Sequence, residues 1–136
     1  MSALYPKVAV IVYVTDPENT RRYLLRHNRP FGDYEDEWAI VFGAVEPGED
    51  AQAAAIREAQ EELGVADYRS IRELAYTTEY TGRHGPSIVH YYALEGQNID
   101  MPIRLNEESI GYDWVTLERA EQLMHRRDEF KALTLI

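Results

Sequence analysis

The stretch GAVEPGEDAQAAAIREAQEELGV, residues Gly43 to Val65, carries six acidic residues. Three of them, Glu58, Glu61 and Glu62, fall within five positions. Residues three and four apart share one face of a helix, so these carboxylates would repel one another on an isolated helix. Two interpretations are open at this point: the glutamates form a solvated helix face, or they bind a divalent cation through their oxygens.

The same stretch has the start and stop signals of a helix from about Asp50 to Leu63. Asp50 is a favourable N-cap, the alanine-rich interior favours a helix, and Gly64 is a favourable residue to end it. The spacing also predicts an apolar stripe on one face of this helix. That stripe consists of Ala55, Ile56, Ala59 and Leu63.

Outside this helix, the chain reads mainly as strands. The run KVAVIVYV is β-branched and nearly continuous, which predicts a strand buried on both faces. Strands that alternate with a few helices predict an α/β or α+β sandwich, here one domain over residues 1–136. The predicted strands are Lys7 to Val14, Arg21 to His27, Trp38 to Gly43, Tyr68 to Gly82, Ser87 to Leu94 and Gly111 to Leu117, and a closing helix is predicted from Leu117 to Leu133.

Composition narrows the class of partner. The net charge of −10 argues against nucleic acid or an anionic membrane as the main partner, because both favour a basic surface. It leaves room for a phosphorylated small molecule beside bound cations. The chain has no cysteine, no apolar run long enough for a membrane span and no signal-peptide pattern at its start, so we expect a cytoplasmic protein.

The spacing of the acidic stretch identifies a family resemblance. It runs Gly43, five residues, Glu49, seven residues, Arg57-Glu58-Ala59, one residue, Glu61-Glu62, one residue and Gly64-Val65. This pattern resembles the signature of the Nudix hydrolases at each of its positions. The resemblance implies an α/β/α sandwich with a mixed sheet, in which the signature forms a loop–helix–loop. It also implies a hydrolase that cleaves a nucleoside diphosphate linked to another moiety, by water attack on phosphorus, with Mg²⁺ or Mn²⁺ as cofactor.

The resemblance assigns roles to the charged residues of the signature. Glu61 and Glu62 would bind the metal, and Glu58 would either bind the metal or take a proton from the water. Arg57 would orient Glu58. Glu49 would brace the loop or the helix start through a salt bridge to Arg57.

Two further positions belong to the implied site. Gly43 would permit close backbone approach, with a nearby carbonyl as a further ligand, although many relatives have Pro-x-Gly where this chain has Val41-Phe42-Gly43. Glu108 lies six residues before Trp114 and would be a further metal ligand or base. The alternative for Glu108 is an ordinary solvated acid on a loop.

The substrate is less well specified than the chemistry. A (deoxy)nucleoside triphosphate or a dinucleoside polyphosphate is the first expectation, with ADP-ribose or a nucleotide sugar as the alternative. Tyr80 lies where the branch that cleaves dinucleoside polyphosphates has a base-stacking tyrosine. A non-catalytic nucleotide-sensing module on the same fold is also open, as is a homodimer. The other candidate substrate contacts are Arg26 and Arg29 for phosphates and Phe31 and Tyr34 for the base.

Overall fold

The computed structural model describes residues 4–30 and 37–136 of the protein. Within these residues the chain forms seven strands and three helices. None of these helices is both long enough and apolar enough to cross a membrane. The elements are β1 (Tyr5–Thr15), β2 (Arg21–Asn28), β3 (Trp38–Ala39), β4 (Val41–Ala44), α1 (Ala51–Leu63), β5 (Tyr68–Gly82), β6 (Gly85–Gly96), β7 (Ser109–Val115), α2 (Leu117–Leu123) and α3 (Arg127–Leu133).

The sheet is built around β1. This strand pairs in parallel with β6 and antiparallel with β2 and β4, so the sheet is mixed. The order along the sheet is β3-β2-β1-β6-β5, with β4 on β1 and β7 on β2. β5 and β6 form an antiparallel hairpin that turns at Arg83 and His84.

Both faces of the sheet are covered, which accounts for the continuous apolar run of β1. Successive side chains of a strand point to opposite faces. Ile11 and Tyr13 enter the core under α2 and α3, while Val10 and Val12 enter the core under α1. The predicted α/β/α sandwich with a mixed sheet is therefore confirmed.

Helix α1 forms where the sequence predicts it and ends as predicted. The side chain of Asp50 accepts a hydrogen bond from the backbone N–H of Ala53 at 2.7 Å, which satisfies an N-terminal donor. Gly64 ends the helix with a φ of 69°, a left-handed conformation that glycine adopts without strain. Ala55, Ala59 and Leu63 of the predicted stripe are buried against the sheet.

The prediction of one closing helix from Leu117 to Leu133 is wrong. The chain forms α2 and α3 instead, because Met124 and Arg126 take extended conformations between them. Arg127 stabilises this break, since its Nη1 donates to the carbonyl oxygen of Met124 at 3.3 Å. The strand before these helices ends at Val115, not Leu117, because Thr116 caps α2 by accepting a hydrogen bond from the N–H of Arg119 at 3.2 Å.

The predicted strand from Trp38 to Gly43 is interrupted at Ile40. The backbone N–H and carbonyl oxygen of Ile40 form hydrogen bonds with side chains and not with a neighbouring strand. Its N–H donates to Oε1 of Glu129 at 3.3 Å, and its carbonyl oxygen accepts from Nε of Arg26 at 3.1 Å. The chain therefore passes from β3, which pairs with β2, to β4, which pairs with β1.

Candidate active site

Arg57, on α1, joins the acidic residues of the signature. Its Nε and Nη2 donate to the two carboxylate oxygens of Glu49 at 2.8 and 2.9 Å, so the predicted salt bridge is present. Its Nη1 donates to Glu58 at 2.8 Å and to Glu61 at 3.3 Å. Nη2 also donates to the carbonyl oxygen of Ala44 at 2.8 Å, which ties the helix to the end of β4.

These contacts set the charge states of Glu49 and Arg57. The hydrogen bond from Arg57 lowers the pKa of Glu49 to about 2, and a backbone N–H from Glu46 adds to the effect. The pKa of Arg57 is raised in turn, first by its hydrogen bond to Glu49. Both groups are therefore fully charged at neutral pH, and the fork-to-fork geometry is one that only a guanidinium gives.

Gly43 provides the space in which Glu58 lies. A Cβ on Gly43 would sit 2.1 Å from Cδ of Glu58 and 2.3 Å from its Oε1. Real atoms do not approach so closely, so the carboxylate occupies the volume that any other residue at position 43 would fill. The glycine is thus explained by a side chain that packs against its backbone, not by a turn.

The three glutamates of α1 differ sharply in exposure. The side chain of Glu61 is 56% exposed, that of Glu58 is 13% exposed and that of Glu62 is 3% exposed. Glu62 is thus inside the protein and Glu61 at its surface. A solvated helix face does not bury one of its carboxylates, so this gradient counts against that interpretation.

The buried Glu62 faces Arg26 on β2. Its Oε1 lies 3.2 Å from Nη2 of Arg26, and neither carboxylate oxygen has a hydrogen-bond partner in the described residues. Burial raises the pKa of Glu62, while Arg26 opposes the rise. The side chain of Glu58 and the charge of Glu108 raise the pKa of Glu62 further.

The loop before β7 positions Glu108. The backbone N–H of Arg29 donates to the carbonyl oxygen of Glu108 at 2.8 Å, and Nε of Arg29 donates to that of Glu107 at 3.0 Å. Of the two acids, Glu108 is the one whose charge acts on Glu62. The role of Glu108 as a metal ligand or base stays a prediction.

The donor set fits a hard divalent cation. Carboxylate oxygens are the ligands that Mg²⁺ and Mn²⁺ prefer, and the two oxygens of Glu62 have no hydrogen bond to satisfy them. As the side chains lie, Glu58 and Glu61 bond to Arg57. Across residues 4–30 and 37–136, no three acidic, histidine or cysteine side chains converge as a metal site.

The structure divides the predicted substrate contacts. Arg26 is buried and directed to Glu62, Ile40 and Ser109, so its position does not support the prediction of a phosphate contact. Arg29 is exposed, although its Nε bonds to the loop backbone. Phe31 and Tyr34 lie outside the described residues.

Tyr80 lies at the rim of a cavity on the sheet face that α2 and α3 cover. Its ring is 6.3 Å from that of Phe42, and the residue is 40% exposed. The cavity contains one residue that the sequence prediction missed, Glu129 of α3, which is buried. Its signal was its position three and four residues before the apolar Ala132 and Leu133, which places an acid on the inward face of a helix.

The fold and these side chains define a class: a mixed-sheet sandwich with a loop–helix–loop whose arginine joins three glutamates. A family model of the NUDIX domain matches residues 5–135. The chain therefore belongs to the Nudix family.

Relatives by sequence carry names of two kinds. The asymmetrical bis(5′-nucleosyl)-tetraphosphatase of Rattus norvegicus is 36% identical over 97 residues, which cover 70% of this chain and 65% of the rat protein. The chain thus spans somewhat less than two thirds of that relative. The nucleoside triphosphatase NudI of Escherichia coli strain K12 is 30% identical over 101 residues, which cover 69% of this chain and 70% of NudI.

Solved structures agree in fold. A Caenorhabditis elegans Ap4A hydrolase in a binary complex superposes with a TM-score of 0.77 at 22% identity, over 96% of this chain and 93% of the other. A Nudix hydrolase structure from Listeria monocytogenes superposes with a TM-score of 0.82 at 21% identity, over 98% and 91%. At these identities, the likeness shows the fold alone.

Proposed function

We propose that this protein is a divalent-metal-dependent pyrophosphohydrolase whose substrate is a nucleoside triphosphate or a dinucleoside polyphosphate. One observation carries the proposal: a single guanidinium, that of Arg57, joins Glu49, Glu58 and Glu61 beside the buried Glu62. A structural helix has no need of this arrangement, whereas phosphoryl transfer depends on positioned charge. The names of the rat and E. coli relatives support the two substrate classes.

The metal ligands in this proposal are Glu58, Glu61, Glu62 and Glu108. When bound there, Mg²⁺ or Mn²⁺ neutralises phosphate charge and lowers the pKa of a water molecule. Glu61 is the most exposed of the three helix glutamates, so it is the first to meet an incoming cation. Glu62 is fixed from behind by Arg26.

Glu58 is the residue that we place next to the reacting water. Arg57 holds its Oε1 at 2.8 Å, which orients the carboxylate and leaves Oε2 to accept a proton. The water oxygen bonds to phosphorus as the bridging oxygen leaves with the other phosphate. Gly43 keeps the space for this carboxylate open, and Glu49 anchors the arginine that orients it.

Two alternatives remain testable against this proposal. Hydrolysis of ADP-ribose or a nucleotide sugar would use the same carboxylates, and the group linked to the nucleoside diphosphate would differ. A sensing module would bind a nucleotide without cleaving it, but the signature glutamates and their arginine are all present, which favours catalysis. A cytoplasmic location, a homodimer and the absence of a nucleic-acid partner stay predictions from the sequence.

The test is a hydrolysis panel with Mg²⁺ or Mn²⁺ that contains nucleoside triphosphates, dinucleoside polyphosphates, ADP-ribose and sugar nucleotides. We expect metal-dependent cleavage of one of the first two classes. In Glu58→Gln, turnover should fall by about 10²- to 10⁴-fold while the circular dichroism spectrum is unchanged. Near-normal turnover of Glu61→Gln at saturating metal would contradict the ligand assignment. Glu118→Gln, on an exposed face of α2, is the matched control.

A further inference from the structure

The guanidinium of Arg26 has more partners than a salt bridge requires. Its Nε donates to the carbonyl oxygen of Ile40 at 3.1 Å, and its Nη1 donates to Oδ1 of Asn28 and to Oγ of Ser109 at 3.4 Å. Nη2 is the nitrogen that faces Glu62, 3.2 Å from its Oε1. One buried side chain of β2 therefore connects the segment between β3 and β4, the start of β7 and helix α1.

The contact between Arg26 and Glu62 is one of charge, without the geometry of a hydrogen bond. In the parts of the chain that the structure describes, neither carboxylate oxygen of Glu62 has a hydrogen-bond partner. The bonds that orient the guanidinium go to the neutral oxygens of Ile40, Asn28 and Ser109. The positive charge is thus fixed beside Glu62 while the lone pairs of its oxygens stay open to a cation.

A β-bulge brings Asn28 and Ser109 together. His27 pairs with Gly111 across β2 and β7, whereas Asn28 pairs with Ser109, so Ile110 is the extra residue in β7. In a regular ladder Ile110 would lie opposite Asn28, and its side chain has no acceptor for a guanidinium. The bulge therefore places a hydroxyl where an unbroken strand would place an aliphatic group.

Ser109 directly follows Glu108 in the chain. It is 6% exposed, so its hydroxyl meets Arg26 inside the protein. The loop before it is held by Asn106, whose Oδ1 accepts a hydrogen bond from the N–H of Glu108 at 3.1 Å. The bond between Arg26 and Ser109 therefore joins the backbone next to Glu108 to the guanidinium that faces Glu62.

We propose that Asn28 and Ser109 are positioning residues for the metal site. By orienting Arg26, they hold Glu62 on α1 and Glu108 before β7 at the spacing that one divalent cation requires. The proposal rests on the pyrophosphohydrolase function, and in it neither Asn28 nor Ser109 touches the substrate or the reacting water. Removal of groups that orient metal ligands typically lowers metal affinity by about 10- to 100-fold, so the effect is measurable.

The first measurement is Mn²⁺ affinity by electron paramagnetic resonance, on the whole protein and without substrate. We expect Asn28→Ala and Ser109→Ala each to weaken Mn²⁺ binding by roughly 10-fold. The matched controls are Asn98→Ala and Ser70→Ala, whose exposed hydrogen bonds lie on the turn after β6 and on β5. Both controls should bind Mn²⁺ as the wild type does. If Asn28→Ala and Ser109→Ala bound it as tightly as their controls, the proposal would be overturned.

A double-mutant cycle separates positioning from general damage to the fold. If Ser109 acts through Glu108, then Ser109→Ala should have a smaller effect on Mn²⁺ affinity in Glu108→Gln than in the wild type, because the carboxylate it positions is gone. The same holds for Asn28→Ala in Glu62→Gln. Losses that simply multiply in both double variants would mean that the four residues act independently, and would overturn the proposal.

Amide hydrogen exchange gives a readout that needs neither metal nor turnover. The N–H of Arg29 donates to the carbonyl oxygen of Glu108 at 2.8 Å, so its exchange reports opening of the loop. In Ser109→Ala this N–H should exchange faster than in the wild type, whereas Ser70→Ala should leave it unchanged. Unchanged exchange in Ser109→Ala would overturn the inference even if hydrolysis were found. Faster exchange with weaker Mn²⁺ binding, in a protein that cleaves no nucleotide, would support the positioning role and reject the proposed function alone.

Discussion

Arg57 and Glu49 are joined by two hydrogen bonds of 2.8 and 2.9 Å between the guanidinium and the carboxylate. They lie eight residues apart, one on α1 and the other on the loop before it. The pair connects that loop to the helix at the point where Glu58 is also held. The pair therefore braces the loop against the helix and, through Arg57, helps to position the carboxylate of Glu58 in the proposed site.

The Glu49–Arg57 pair predicts a loss of stability in acid. The pKa of Glu49 is about 2 in the folded protein, against an ordinary value of 4.5. A group with a lowered pKa stabilises the fold above its unfolded pKa, and this contribution is lost as pH falls through the folded value. The difference in unfolding midpoint between wild type and Glu49→Gln should therefore be largest above pH 5 and shrink progressively toward about pH 2.

Urea unfolding at several pH values measures this difference. The control is Glu46→Gln, because Glu46 is 3.8 Å from Arg57 and its side chain is 64% exposed. That variant should track the wild type across the range, since exposed ion pairs contribute little. A difference between wild type and Glu49→Gln that does not vary with pH would contradict the assigned pKa shift.

Gly43→Ala should damage catalysis more than folding. The added Cβ would lie 2.1 Å from Cδ of Glu58, so that carboxylate must move. Because it is the far end of a flexible side chain, the fold can accommodate the shift. Displacing a reacting group by about 1 Å can cost about 10²-fold in rate, and we expect a fall of that order in kcat/KM.

Gly111→Ala is the matched control for this substitution. A Cβ on Gly111, in β7, would have no heavy atom within 4 Å. The kcat/KM and Mn²⁺ affinity of the Gly111→Ala variant should stay close to those of the wild type. Equal effects of the two alanines would show that the Glu58 contact is not the cause, and the thermal midpoint of each variant reports any general damage.

The buried Arg26–Glu62 pair predicts an asymmetric cost. Arg26→Met removes the guanidinium that faces the buried Glu62, and breaking a buried pair typically costs about 3–5 kcal/mol of unfolding free energy. The double variant Arg26→Met/Glu62→Gln should recover part of that loss. Urea unfolding at pH 7 gives both numbers.

A partly exposed pair supplies the comparison. Arg22 and Asp16 lie 3.2 Å apart, and their side chains are 32% and 10% exposed. Arg22→Met should therefore cost less than Arg26→Met, because both members of the Arg26–Glu62 pair are buried. If Arg26→Met cost as little, the guanidinium of Arg26 would not be what stabilises the buried carboxyl of Glu62.

Glu108 and Glu107 offer a paired test of the metal site. The charge of Glu108 contributes to the raised pKa of Glu62. Glu108→Gln should weaken Mn²⁺ binding by roughly 10-fold or more, as loss of a carboxylate near a bound cation does. Glu107→Gln should leave it nearly unchanged. Mn²⁺ titration followed by electron paramagnetic resonance measures both affinities without substrate, and equal effects would remove Glu108 from the ligand set.

Local signals made much of the fold predictable. The two-sided burial of β1 follows from its unbroken β-branched run, and α1 follows from Asp50, its alanines and Gly64. The division of the closing helix was not predictable in this way. Met124, His125 and Arg126 contain neither glycine nor proline, so no local signal marks the break.

The parts of the site that were missed depend on contacts between distant segments. Arg26 reads as a loop-end cation in the sequence, but β2 places it beneath α1, where it faces Glu62. Glu129 reads as one of many acids on a helix. Its burial depends on Ile40, which is 89 residues away in the chain. Pairings of this kind are set by tertiary packing, and the local pattern of a single sequence does not show which distant residues will meet.

Glu129 predicts a pH effect opposite to that of Glu49. Burial raises the pKa of Glu129 above its ordinary value of 4.5, although Arg126 and Arg26 reduce the rise and Glu37 adds to it. A group with a raised folded pKa contributes stability that is present below its unfolded pKa and is lost as pH rises through the folded value.

The wild type should therefore lose stability relative to Glu129→Gln as pH increases from about 4.5, and the difference should level off above the folded pKa. Glutamine keeps the hydrogen bond from Ile40 but has no proton to lose. Urea unfolding from pH 4 to pH 8 measures the trend, with Glu118→Gln as an exposed control that should show none. If the wild type instead gained stability relative to Glu129→Gln as pH rose, the ionised carboxylate would be stabilised by its surroundings.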